Sequence, residues 1–472
     1  MSFFRLPRAG PEFSISIRTD FRIALGAFVF LLLLMTLCRS LTDDGVHFQP
    51  WTSDRLMQTV ALEDLRHDPV TSLEWNHIQP PMLDLIRAAI VSLVPNRSEF
   101  EALQFVDFWL LILWAGLYAA LGGLAFRWGC ELAGRRVGFW CAGIVLLHPA
   151  TIFYATMVDS TLLTALLTLA MLRALWLARD GRMVSIVKLS AIYLALFYTR
   201  SMFQWPFPLV LAFSLSMMRV PRRVVLAFLV ITIFGSGIHV AKQLGRFDTV
   251  FTSSLSGFNL TRSVGMDDTE IYLHMLDDRA DEPLAAGRDP AVLTRPMIRD
   301  GIPNFNHRAY LDESHRLLRV YRDYLLLTPP SEILRGYLFN LWLYVQPSSR
   351  YTRHAIVDQL PWRRISDRLL AFPLVLIPTL LAMVAWLQAA GRRSGLRTAL
   401  GMAAPVVSIV LLSVLCERGE NMRYKFFLEP AWIVFLVVWG WGFVRGILPS
   451  RASPSNATDG REVLPPHSVD RF

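Results

Sequence analysis

Residues 40–93 read SLTDDGVHFQPWTSDRLMQTVALEDLRHDPVTSLEWNHIQPPMLDLIRAAIVSL, directly after an apolar run, Phe21–Cys38. A run of about 18 residues is long enough to cross the hydrocarbon core of a bilayer. No small-residue cleavage site follows it as in a secretory signal, so the run is read as a retained first helix after a 1–20 cytoplasmic segment. Residues 40–104 then form the first loop beyond it. That loop sets Asp43, Asp44 and Asp54, then His77, Gln79 and the Pro80-Pro81 pair, beside a hydrocarbon-seeking segment. Ionised groups are costly to hold there, so acids kept at this boundary point to a task.

Composition carries the same reading across the chain. Of 472 residues 53% are apolar and 12% aromatic, and the mean hydropathy is +0.39, greasier than a soluble protein of this size. The net charge of +9 follows from a membrane protein keeping Lys and Arg in its cytoplasmic loops. Arg residues spread over many short loops, with no basic face, argue against a nucleic-acid partner. Cys38, Cys130, Cys141 and Cys416 lie in or at the ends of apolar segments without metal-like spacing, which makes them packing residues and gives no metal site. The expected fold is an all-α polytopic membrane protein of about ten transmembrane helices.

The runs are Phe21–Cys38, Phe105–Phe126, Gly138–Tyr154, Thr161–Leu177, Val184–Tyr198, Phe207–Met218, Val224–Ala241, Leu369–Ala390, Thr398–Leu415 and Pro430–Val444. With the N-terminus cytoplasmic, the inner loops carry Arg127, Arg135 and Arg136, then Arg179 and Arg182, then Arg219, Arg222 and Arg223, then Arg392, Arg393 and Arg397, and the tail opens with Arg445. Each is short and basic, as the positive-inside rule requires. The loops holding Asp44, Asp159, Arg200 and Glu417–Glu429 then face the other compartment together. So does the 242–368 insert, which opens with polar, proline-rich loop, continues as an amphipathic helix over Arg308–Leu327, and leads into a greasy segment, 331–347, read as interfacial or re-entrant. The units are therefore a 21–241 membrane core, the 242–368 insert, the 369–448 terminal helices and a 449–472 tail of disordered composition. No internal repeat is found.

Candidate chemistry is sought among the outward groups. Ser53 or Thr52 is placed to cap a helix whose first turn holds Asp54, with Leu56, Val60 and Leu65 on its apolar side; Asp54 also fits a plain first-turn stabiliser. Asp44 is equally an ordinary loop acid. In HIQPP (77–81) two prolines close an extended approach and open the next helix. Asp159 precedes TLLTALL as a helix-capping acid. Arg200, Arg418, Arg423 and Lys425 are outward-facing cations, without the topological reason the inner ones have. Snorkelling would explain each singly, whereas an anionic lipid phosphate explains them together.

SDRLMQTVALEDL, NHIQPPMLDLI, MVDSTLL, YTRSMF and ENMRYKFFLEP, in that order and on one side, resemble the GT-C superfamily of polytopic glycosyltransferases that use polyprenyl-phosphate sugars, such as protein mannosyltransferases and aminoarabinose transferases. The resemblance covers residues 21–177 and about the last 30 residues of the membrane domain, and leaves the insert without a role. It departs from the usual pattern in lacking an Asp-Glu pair in the first loop. It implies an integral membrane glycosyltransferase taking a polyprenyl-phosphate-sugar donor and a glycan, lipid or protein acceptor, with inverting single displacement. Asp54 is the general base it favours, Asp44 the alternative. Asp159 would orient the acceptor or an arginine, Arg200, Arg423, Lys425 and Arg418 would bind the donor phosphate, and His77, Gln79, Glu420 and Glu429 would position substrate. No cofactor is called for beyond a possible divalent metal. Short loops and an Arg-rich tail suit a bacterial inner membrane with the site on the periplasmic face, although Asn259-Leu-Thr would be a glycosylation sequon in a eukaryotic lumen. The rivals are a lipid or glycan transporter or flippase, a ligase or polymerase using a lipid-diphosphate donor, and an assembly subunit that only binds a lipid-linked glycan.

Overall fold

The structure is a computed structural model that describes residues 17–41, 48, 59–94, 98–266, 291–294, 298–299, 302–348 and 396–447. Nine of the ten apolar runs are helices within these residues. The tenth, Leu369–Ala390, lies outside the described residues, as do Asp43, Asp44, Asp54 and the 449–472 tail.

In chain order the helices are α1 (Ile17–Leu41), α2 (Leu62–His67), α3 (Pro69–Glu74), α4 (Met82–Val91), α5 (Glu99–Ala133), α6 (Arg135–Leu147), α7 (Pro149–Ala155), α8 (Ser160–Ala178), α9 (Met183–Thr199), α10 (Phe207–Met217), α11 (Arg222–Phe247), α12 (Ser256–Ser263), α13 (Ala291–Thr294), α14 (Arg308–Leu327), α15 (Pro330–Tyr344), α16 (Leu396–Leu415), α17 (Asn421–Lys425) and α18 (Glu429–Ile447). A single antiparallel ladder, β1 (Ile298–Arg299) with β2 (Ile302–Pro303), interrupts the all-α expectation among the described residues.

α5 is the mast of the bundle, with α1, α6, α8 and α18 packed on it. It starts at a capping box, in which the Ser98 hydroxyl accepts from the Glu101 N–H and the Glu101 carboxylate accepts from the Ser98 N–H, so two amides that no helix carbonyl reaches are satisfied. It buries Leu110, Trp114, Tyr118 and Trp128. Against α6 the contact is made by small residues: a Cβ on Gly138 would stand 2.6 Å from the Phe126 carbonyl oxygen. Small side chains let two backbones approach in lipid, where burial of apolar groups no longer drives association. Cys130 and Cys141 are buried at this same seam.

Among the described residues three helices, α5, α8 and α11, are long and apolar enough to cross a membrane, and α6 with α7 makes a fourth if the pair, bent by 61°, counts as one span. α1, α9, α10, α16 and α18 contain shorter apolar stretches. The chain is thus a helical membrane protein. α11 shows why in its side chains. Leu226, Val230, Phe234 and Ile238 are more than half exposed, while Thr232, Ser236, His239 and Gln243 are buried. A water-soluble helix does the reverse.

The sequence reading needs four corrections. The Gly138–Tyr154 run is broken, because Pro149 pushes the residue before it out of helical geometry; His148 is extended, with φ −63° and ψ 127°. The helix expected from Ser53 through Val60 to Leu65 does not run through, since Thr59–Ala61 are not helical and α2 begins at Leu62. Val60 is held there by its N–H donating to Asp84 and its carbonyl accepting from Arg87. Pro81 is the residue before α4, and Met82 is its first helical residue. Finally, the insert does not begin at Lys242. α11 continues to Phe247 and ends at Asp248, whose φ is +49°, and Lys242 donates to the carbonyls of Leu73 and Asn76.

The helix ends sort into two sets. At one end the basic turns meet, with Gly181 packed on Pro221 and Arg173 donating to Glu131. At the other, the 59–81 loop, the α7–α8 junction, Arg200, the insert and residues 416–429 join one another through the contacts below. These are the two groups that the distribution of Lys and Arg separates.

Candidate functional site

At the loop-rich end Asp159 caps α8 as the sequence suggests: one carboxylate oxygen accepts from the Thr161 N–H at 2.7 Å, the other from the Thr161 hydroxyl at 2.9 Å. The second oxygen also accepts from Arg423 Nη2 at 2.7 Å. Arg423 also donates to Thr161 Oγ1 at 2.8 Å and to Glu420 at 3.1 Å. Asp159 and Arg423 are both about 95% buried. A buried pair this well hydrogen-bonded offsets the cost of taking two charges out of their solvent. Asp159, Arg423 and Glu420 are thus brought together, as an internal tie between α8 and α17.

Lys425 is also engaged. Its Nζ donates to the Gln346 carbonyl at 2.6 Å and lies 3.3 Å from Glu429, which accepts from the Ser348 hydroxyl at 2.5 Å. Tyr154 donates to the Ser348 carbonyl, and the His148 ring lies 4.0 Å from Glu429. The bend between α6 and α7, the end of α15 and the start of α18 are therefore fastened by one polar knot.

Arg200 is the exception. It follows α9 as the first residue out of the helix and is only 6% exposed. Its Nε and Nη2 have no hydrogen-bond partner among the described residues. The guanidinium carbon stands 5.5 Å from the Tyr424 ring centre and 5.7 Å from that of Phe427. Aromatic faces attract a cation but leave its in-plane N–H donors open. A buried cation without an acceptor is held at a cost.

The two residues after Arg200, Ser201 and Met202, line a hollow of about 540 Å³ that is open to solvent. Its lining mixes polar side chains, Gln204, Ser256, Asn259, Ser413, Glu417 and Tyr424, with apolar ones, Met202, Phe251, Leu260, Leu412 and Cys416. Trp205, Leu411 and Val250, next to these residues in sequence, are exposed. Glu417 is 2% exposed. One of its oxygens receives Arg262 at 2.6 Å and the Arg418 N–H at 3.0 Å, the other the Tyr424 hydroxyl at 3.4 Å. Burial pushes its carboxyl up to about 8, against the opposing pull of Arg262. The Arg262 contact describes the ionised form, and burial decides how readily that form exists.

The first loop is organised differently. His77 Nδ1 lies 2.7 Å from the Ser254 hydroxyl and Nε2 lies 3.1 Å from the Asn306 carbonyl. A carbonyl only accepts, so Nε2 carries the proton and Nδ1 accepts from Ser254. Burial pushes the ring down to about 3, with Lys242 and Arg308 adding to it, and His77 stays neutral. It fastens the first loop to Ser253–Leu255, which leads into α12 and so into the wall of the hollow. Gln79 is half-buried in the same loop. Neither His77 nor Gln79 lines the hollow. Asp84, Arg87 and Asn76 form a further buried network, with Arg87 donating to Asp84 at 2.8 Å and Asn76 at 2.8 Å.

Arg418 stacks over Phe339 at 4.7 Å and is half-buried. Glu417, Arg262 and Tyr424 were not singled out from the sequence. Glu417 opens the quoted ERGENMRYKFFLEP, but its partner Arg262 is in the insert and no spacing links them. Among the described residues no group of three or more His, Cys, Asp or Glu side chains is placed to hold a metal ion. Compared with family models, with curated proteins and with solved structures, the chain matches none.

Proposed function

We propose that the protein is an integral membrane glycosyltransferase that moves a sugar from a polyprenyl-phosphate donor to an acceptor hydroxyl at the loop-rich end of the bundle. The observation that carries this reading is Arg200, a buried guanidinium whose Nε and Nη2 have no hydrogen-bond partner among the described residues, beside a hollow lined by both polar and apolar side chains. A lipid phosphate has the complementary form. Its phosphate oxygens accept from Arg200 in charge-assisted hydrogen bonds, and its chain follows the apolar lining residues toward the exposed Trp205. Arg200 is worth more as the bond to the sugar breaks, because charge grows on the phosphate oxygen at that moment.

In this proposal Arg423 and Lys425 are framework for the site, since both are buried and tied to Asp159, Thr161, Glu420, Gln346 and Glu429. Arg418 remains a second phosphate-binding candidate. Asp54, with Asp44 as alternative, takes the acceptor proton as the new bond forms, a role worth about 10²–10⁴ in rate, and single displacement inverts the anomeric centre. By the distribution of basic loops the site faces away from the cytoplasm of a bacterial inner membrane. A sugar that has already crossed on a lipid carrier is the form of activated donor available there.

The test is turnover by the purified full chain in lipid nanodiscs, offered polyprenyl-phosphate hexoses and pentoses, with saturable binding of a polyprenyl monophosphate measured in parallel. Arg200→Gln is expected to weaken that binding about tenfold or more, the loss of hydrogen bonds to a charged group, while the protein stays folded. Neither turnover nor saturable binding in the wild-type chain would refute the proposal. Passage of the lipid across liposomes without sugar transfer would favour a flippase.

A further inference from the structure

We propose that Glu417 is a catalytic acid of this site, donating its proton to the phosphate oxygen of the lipid donor as the sugar leaves. The inference rests on the lipid-phosphate reading above and adds a residue to it. The geometry is specific to one oxygen. Oε1 already receives two donors, Arg262 at 2.6 Å and the Arg418 N–H at 3.0 Å. Oε2 has only the long contact to the Tyr424 hydroxyl at 3.4 Å. A proton on this carboxyl therefore sits on Oε2, on the side of the Tyr424 hydroxyl, and the Tyr424 ring in turn lies 5.5 Å from the Arg200 guanidinium carbon. Glu417 and Tyr424 both line the hollow. A phosphate drawn to Arg200 would meet repulsion from an ionised Glu417 but a hydrogen bond from a neutral one.

The step balances as follows. The acceptor oxygen bonds to the anomeric carbon while the bond from that carbon to the phosphate oxygen breaks. The bonding electron pair leaves on the phosphate oxygen, which takes the Glu417 proton. The acceptor's own proton passes to the first-loop base, and Glu417 is reprotonated by solvent through the open side of the hollow.

The charged and titratable groups around Glu417 come from each packed element. Arg262 approaches from α12, and Arg418 follows in the same loop. Glu420, Arg423 and Tyr424 come from the turn after it and from α17, Arg200 lies over the Tyr424 ring, and Cys416 precedes it in the chain. Burial lifts the Tyr424 hydroxyl above its ordinary range and the Cys416 thiol up to about 11, so both keep their protons where Glu417 titrates. Burial raises Glu417 against Arg262, with Glu420 adding to the rise. The protonated form, required of an acid, is thus present below about 8 and lost above it.

The experiment compares wild type, Glu417→Gln and Glu417→Asp in nanodiscs, measuring kcat against pH and the binding of a polyprenyl monophosphate at pH 7. Wild-type kcat is expected to fall by roughly tenfold per pH unit on the alkaline side. Glu417→Gln is expected to lose about 100-fold or more in kcat and to lose that alkaline limb, while still binding the lipid phosphate, because an amide donates a hydrogen bond but no proton. Glu417→Asp should keep a limb, displaced in pH. A Glu417→Gln protein with wild-type kcat or an unmoved limb overturns the inference and leaves the glycosyltransferase reading standing. Absence of any turnover or lipid binding in wild type removes both. Should Glu417→Gln fail to fold, Glu417→Asp decides, and an undisplaced limb at full rate counts against the acid role.

Discussion

Two polar regions sit at the same end of the bundle and are built on opposite terms. Among the described residues around the first loop, the main charged and titratable side chains have partners within the fold: His77 uses both ring nitrogens, Asp84 is met by Arg87, Asn76 and the Val60 N–H, and Lys242 rests on two carbonyls. Around the last outer loop the tie of Asp159 to Arg423 is equally closed, but next to it Arg200 keeps open donors and Glu417 keeps one lightly used oxygen. Burying polar groups costs the same in both places, and only a satisfied group returns the cost within the fold. Among the described residues, the first region is closed by partners within the fold, whereas the second keeps two guanidinium nitrogens of Arg200 without a hydrogen-bond partner beside the hollow.

Three substitutions test that contrast. The largest effect is expected from Arg423→Ala, which leaves Asp159 buried without its guanidinium; loss of one member of such a pair costs about 3–5 kcal/mol. A sharp fall in folded yield and in Tm in detergent is the readout, and an unchanged Tm would show that the tie is dispensable. His77→Gln is expected to cost about 1–3 kcal/mol and to change the response to acid. With its folded value pushed down to about 3, His77 takes up a proton on unfolding but not when folded between about 6.5 and 3, so it makes stability fall as pH drops through that window. Thermal melts from pH 7 to pH 4 should flatten in the variant. Arg246→Gln removes a half-exposed ion pair to Glu74 on the first-loop side and should move stability by less than about 1 kcal/mol. A larger loss there would mean that the first region depends on surface charge as much as on its buried network.

The helices were legible because an apolar run in a membrane chain leaves the backbone one economical answer, internal hydrogen bonding. Arg308–Leu327 came out residue for residue, its amphipathic pattern being local. The break at His148 was also written in the sequence, in Pro149, but the apolar side chains around it mask the signal. Asp159 as a cap was local as well. The partner of Asp159 was not, and neither was the pairing of Glu417 with Arg262, since each joins segments that only the packed bundle brings together. Arg200 was visible as an outward cation, but its lack of a partner is a property of three dimensions. The Thr59–Ala61 interruption likewise depends on Asp84 and Arg87 reaching back to Val60.

The bond between Asp159 and Arg423 joins residues 264 positions apart. During synthesis, at about 5–20 residues per second, the acid emerges on the order of tens of seconds before its mate. In that interval the half-made protein holds an uncompensated carboxylate at the rim of its growing bundle. The tie between α8 and α17 therefore closes only after the segment carrying Arg423 has been made, and until then the Asp159 carboxylate has only its Thr161 cap bonds.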